Sequence, residues 1–220
     1  MFKHQTSKKK SRKPVAVHLT ADGKTESTIP NPGGLQVTGI PTVSMKLKFN
    51  CGTATTASIT YANLLDTVVF AVTSTSVYDL FYAVRLHSVE IWLPPSLAAV
   101  AVNAQCTLAF DSPTQGDQRV RVCYAGPQGG NLKAKPSNHS ANGLFWQDSA
   151  SVTAFTLNNC PVGAMLQLNV TFRTRMGNGS SQAAAQAATG AQVGTVYFRG
   201  MDGLATSSTK FPPAPASYSI

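Results

Sequence analysis

From Thr42 onward the chain repeats one pattern: short runs in which apolar and polar residues alternate, broken by clusters of Gly, Pro, Asn and Ser. A period of two puts successive side chains on opposite faces of a strand, so a chain of such runs closes a core only by packing sheet against sheet. In residues 42–50, Val43, Met45, Leu47 and Phe49 share one face, while Ser44, Lys46 and Lys48 share the other. This is a half-buried strand.

A shorter β-prone run at 57–60 leads into YANLLDTVVF, where Leu64, Leu65, Val68 and Val69 fall at helical spacing, so a short helix and a further strand both fit. Residues 77–83 are similarly ambiguous. VRLHSVEIWLPP reads as a long strand stopped by Pro94 and Pro95, and further strands read at 101–110 and 118–124. Residues 125–143, rich in Gly, Asn and Pro and almost without apolar residues, read as a long surface loop. Alternation resumes at 151–157 and 164–175. The Ala-rich stretch SSQAAAQAATGAQ is a second place where helix fits, 193–200 is the last strong strand, and the Pro-rich tail from Phe211 reads as irregular. The fold class is therefore all-β. About eight strands with uneven connections favour an eight-stranded antiparallel jelly roll, a two-sheet β-sandwich, over residues 42–220. The rival immunoglobulin-like sandwich lacks its cysteine–tryptophan–cysteine spacing here.

Charge is distributed unevenly. The 18 basic and 9 acidic residues give a formal +9 on a chain only 12% charged. Lys3, Lys8, Lys9, Lys10, Arg12 and Lys13 lie ahead of the first acid, Asp22, which leaves 12 basic and 9 acidic residues, or +3, for the rest. Pro14, Pro30, Pro32, Gly33, Gly34 and Pro41 punctuate the stretch beyond the basic cluster, so residues 1–41 read as a disordered basic arm and linker. Such an arm neutralises phosphates without fixed geometry, so its binding is tolerant of sequence and falls steeply with salt. KKKSRK also has the composition of a nuclear import signal. Six charges bind weakly alone, whereas a closed shell of about sixty copies presents an array that binds far better. Closure also suits the scarcity of charge, because surfaces buried against copies of the same chain resemble a core cut in half.

Other classes fit less well. No apolar run reaches the roughly 18 residues of a membrane span, and no apolar stretch succeeds the N-terminal charges as in a secretory signal, so neither membrane insertion nor export is expected. Cys51, Cys106, Cys123 and Cys160 are far apart in sequence and read as small buried hydrophobes, not as a metal site. His4, His18, His87 and His139 are scattered, and no catalytic or phosphate-loop motif is present, so neither enzymatic activity nor a cofactor is expected. A monomeric nucleic-acid-binding β-barrel would cluster aromatics with basic residues on one sheet, and a carbohydrate-binding sandwich would expose tryptophan, for which Trp92 and Trp146 are the candidates.

The layout of basic arm, Pro/Gly-rich linker and single jelly roll resembles the capsid proteins of small icosahedral viruses. Locally, ITYANLLDTVVFAVTSTSVYDLFYAVRLHSVEIW, residues 59–92, resembles the region around the second to fourth sheet strands in capsid proteins of circovirus-like circular single-stranded DNA viruses. Similar pieces occur in capsid proteins of some small positive-strand RNA viruses. The resemblance implies a self-assembling icosahedral shell, single-stranded DNA as packaged partner with an RNA or satellite virus as the alternative, and residence in the virion and the host nucleus or cytoplasm. It further implies that the sheet holding the first, third, sixth and eighth strands lies nearest the shell interior. Here those are the segments beginning at Thr42, Val84, Ser151 and Val193, which makes Lys46, Lys48, Arg85 and Arg199 the candidates for contact with nucleic acid, together with the arm. Arg119, Arg121, Arg173 and Arg175 are assigned to the other sheet or its ends.

Overall fold

The computed structural model describes residues 41–95, 105–110, 119–148, 152–174, 185–202 and 210–214. The arm residues Lys3, Lys8, Lys9, Lys10, Arg12 and Lys13 lie outside them, as does Arg175. In chain order the elements are β1 (Thr42–Asn50), β2 (Thr55–Thr60), α1 (Tyr61–Leu65), β3 (Val68–Ala71), β4 (Ser76–Asp79), β5 (Phe81–Leu93), β6 (Gln105–Phe110) and β7 (Arg119–Tyr124). Then come β8 (Gly130–Ala134), α2 (Ala141–Leu144), β9 (Thr153–Cys160), β10 (Met165–Thr174), β11 (Ala185–Ala187) and β12 (Val196–Phe198).

Two antiparallel sheets, in the orders β1-β10-β5-β8 and β2-β9-β6-β7, pack face to face. That strand order is the double Greek key of a jelly roll. Their inner faces share one core, to which the first sheet gives Leu47, Phe49, Leu86, Leu168 and Phe172 and the second gives Ile59, Leu108, Phe155 and Leu157. Phe81 and Phe172 stack with ring centroids 4.6 Å apart. All four cysteines are buried there as free thiols.

The ambiguous stretch YANLLDTVVF contains both structures. Thr60 caps α1, its Oγ1 accepting from the Asn63 N–H while Asn63 Oδ1 accepts from the Thr60 N–H, and β3 comes directly after. With β4, β11 and β12 it forms a third small sheet, β11-β4-β3-β12, which alternation along the chain does not reveal.

Two expectations are corrected, and the irregular tail is found held in place. The long loop at 125–143 contains β8 and α2, because β8 needs only Leu132 and Ala134 as inward residues once β5 supplies its hydrogen bonds. A side chain at Gly130 would run into the Tyr124 carbonyl, so the glycine that suggests a loop is what lets β8 start there. The Ala-rich stretch, where helix fits by composition, holds the strand β11, paired with β4. Residues 210–214 run along the edge of β1: the N–H groups of Asn50 and Gly52 donate to the carbonyls of Pro212 and Lys210, and that of Ala214 donates to the Lys48 carbonyl. Phe211 is fully buried.

Candidate nucleic-acid interface

Cross-strand register sets out the outer face of the β1-β10-β5-β8 sheet in rows. Lys48, Gln167, Glu90 and Lys133 lie opposite one another, then Lys46, Asn169 and Ser88, then Ser44, Thr171 and Arg85. Arg173 lies beyond, opposite Thr42. Opposed residues on neighbouring strands point to the same side. This face therefore gathers Lys46, Lys48, Arg85, Lys133 and Arg173 among short polar side chains. Among the described residues its one carboxylate is Glu90, held by Lys133 at 3.3 Å.

A β-bulge shapes the centre. Asn169 pairs with Ser88 and Val170 with Leu86, which leaves His87 as the extra residue. The bulge reverses the alternation of β5: Arg85 and His87 face outward before it, Glu90 and Trp92 after it. His87 Nε2 and Thr171 Oγ1 are hydrogen-bonded at 2.8 Å. Partial burial lowers the pKa of His87, and the positive charges of Arg85 and Lys135 lower it further.

The basic surface continues over one rim of the sandwich, where a cavity of about 400 Å³ is lined by Arg121, Leu132, Lys133, Ala134 and Lys135. At the opposite rim a cavity of about 240 Å³ lies between Lys46–Phe49 and Phe198, Pro213 and Ala214. Lysines thus border a concavity on each side of the face.

The structure brings Lys46, Lys48 and Arg85 onto one sheet and removes Arg199 from it. The expectation placed Arg199 on the eighth strand, but that strand is β10, and Arg199 lies just after β12 of the small sheet, 2% exposed. Its N–H donates to the Thr67 carbonyl. Burial pushes its pKa down, and the negative charges of Asp66, Asp79 and Asp202 oppose that shift. Its surroundings are those of an internal charge with acidic neighbours.

The sixth strand is likewise β8, and the segment after Ser151 belongs to the opposite sheet as β9. Arg119 and Arg121 lie on that opposite sheet, as expected, whereas Arg173 joins Arg85. The signal for Arg173 is present in the sequence, since Gln167, Asn169, Thr171 and Arg173 alternate on one face of their strand. Only the sheet to which that strand belongs differs from the expectation.

The other sheet presents a different outer face. Its rows are Ser58, Thr156, Ala109 and Val120, then Asn158, Thr107 and Val122, with Gln105 opposite Tyr124. None of these residues carries a formal charge. Val120, Val122 and Tyr124 form an exposed apolar stripe on the edge strand β7.

No protein-family model matches the sequence, and no curated protein matches it. Among solved structures, the chain is similar to the virus-like particle of the extra small virus of the giant freshwater prawn Macrobrachium rosenbergii, at 11% identity and TM-score 0.39 over 78% of this chain and 97% of that one. It is also similar to Desmodium yellow mottle tymovirus, at 10% identity and TM-score 0.33 over 78% of this chain and 100% of that one.

Proposed function

We propose that this chain is a viral capsid protein: its jelly roll, residues 42–220, assembles into a closed icosahedral shell, and the arm, residues 1–41, packages single-stranded nucleic acid. The observation that carries the reading is the division of the sandwich into a basic outer face and an uncharged one. A phosphate backbone is neutralised by Lys46, Lys48, Arg85 and Arg173, while a surface of Ser, Thr, Ala, Val and Tyr can be buried against a neighbour without stranding a charge. The arm adds Lys3, Lys8, Lys9, Lys10, Arg12 and Lys13 on a tether, so many copies act on one polymer at once. DNA as the packaged polymer rests on the resemblance of residues 59–92, with RNA as the alternative. Residence in the virion is part of the same reading, and passage through the host nucleus rests on KKKSRK.

Expression of the full chain tests this directly. Electron microscopy should show closed particles of uniform size, and nuclease digestion of their contents should assign DNA or RNA. Deleting residues 1–14 should sharply reduce the nucleic acid recovered while the domain stays folded. A strictly monomeric protein across pH and salt would overturn the shell, and unchanged nucleic acid content would overturn the role of the arm.

A further inference from the structure

At the end of the basic face nearest Arg85 and Arg173, the last turn of α2 and the loop that continues from it to Gln147 carry two aromatics that the lysine rows do not explain. Phe145 is 61% exposed and Leu144 50% exposed, yet the backbone around them is fixed. The Gly143 carbonyl accepts from Arg85 Nη2 at 2.8 Å, and Gln147 and Val84 exchange both backbone hydrogen bonds. The Arg173 guanidinium sits over the Trp146 ring, 4.5 Å from its centroid. Asn142 anchors α2 just ahead of the loop, its carbonyl accepting from the buried Tyr61 hydroxyl and its Nδ2 donating to the Thr153 carbonyl. A side chain at Gly143 would run into the Ser137 carbonyl.

We infer that Phe145 and Trp146, flanked by Arg85 and Arg173, form a stacking subsite for an unpaired base, with that nucleotide's phosphates on the adjoining basic face. This deepens the proposed function and rests on it. An aromatic held out from a fixed loop offers a flat surface at little further entropic cost, and stacking on it tolerates any base. Charge identifies the occupant. Among the described residues, Arg85 Nε and Arg173 Nε are buried without a hydrogen-bond partner, and no carboxylate lies in the rows of Arg85 and Arg173. A second copy docking its uncharged outer face would supply no anion to either guanidinium, whereas a nucleotide brings a π-face and a phosphate together. A duplex keeps its bases stacked internally, so the subsite favours single strands.

The test uses the full chain, short oligothymidylate, and an abasic deoxyribose–phosphate oligomer of the same length, with affinity measured across a salt series. Phe145→Ala should weaken oligothymidylate binding roughly tenfold, leaving the salt slope and the abasic affinity unchanged. Lys46→Ala with Lys48→Ala should instead flatten the slope by about 0.7 per charge for both probes. If the lysine pair behaves so and Phe145→Ala changes nothing, the stacking subsite is overturned and the basic face stands. If neither variant changes binding, both fall. If Phe145→Ala alters only sedimentation of the assembled protein, the aromatic pair is a subunit contact and the subsite is likewise overturned.

Discussion

The two outer faces of the sandwich rest on one core and differ almost completely in chemistry. One concentrates Lys46, Lys48, Arg85 and Arg173 and pairs its carboxylate, Glu90, with Lys133; the other runs through Ser58, Thr156, Thr107 and Val122 without a formal charge in its rows. Neither choice is dictated by the fold, because the inward residues alone satisfy the core. The difference teaches that a modest charge of +4 over residues 42–220 conceals a polarised molecule. Charge is placed where a polyanion is expected and withheld where dehydration is expected.

The largest effect should come from placing charge on the uncharged face. Val122 is 41% exposed on the edge strand β7, so Val122→Asp leaves the isolated fold intact. In a shell it would strand a carboxylate at an interface, costing about 3–5 kcal/mol wherever that contact recurs. Sedimentation should show subunits in place of particles, with the thermal transition of the subunit nearly unchanged. Particles of normal yield would mean that this face is solvated, and the contrast between the faces would lose its meaning.

A smaller effect tests whether the two faces share one folding unit. Phe172 is fully buried, stacked on Phe81, and sits between Thr171 and Arg173 of the basic face. Phe172→Ala should cost about 3–5 kcal/mol. That lowers Tm by at least roughly 6 °C in a domain of this size. One calorimetric transition should remain, displaced as a whole. Two separate transitions would show that the sheets melt independently.

How much of this is legible in the chain depends on how local its cause is. β1 is readable to the residue because nine alternating positions encode it, and with it the outward placement of Lys46 and Lys48. The outward placement of Arg85 is readable too, but the bulge at His87 is not, since it exists only in the register against Asn169 and Val170. Alternation carried through would turn Val89 outward, where it is in fact buried. β8 escapes notice because two inward residues make no period. Missing it displaces the count of every later strand, carrying Arg199 onto the wrong sheet and Arg173 off the right one. The segment at 210–214 reads as irregular by its prolines and forms no strand, and what its sequence does not disclose is the open edge of β1 that holds it through backbone hydrogen bonds.

The smallest predicted effect concerns protons. The pKa of His87 is lowered, first by partial burial and then by Arg85 and Lys135, so below about pH 6.5 the unfolded chain binds more protons at this site than the folded one. The contribution of His87 to stability is therefore present above its unfolded pKa and is lost as pH falls through the folded value. His87→Asn should remove that slope. Phosphates on the basic face would oppose the field of Arg85 and raise the pKa again, so binding of an oligonucleotide near pH 6 should take up a fraction of a proton. Calorimetry in two buffers of different ionisation enthalpy measures that uptake, and His87→Asn should reduce it, leaving only the share of His4 and His18 in the arm. The rows of the uncharged face hold no histidine and no carboxylate, so uptake left wholly unchanged by His87→Asn would place the polyanion somewhere other than the face with the lysines.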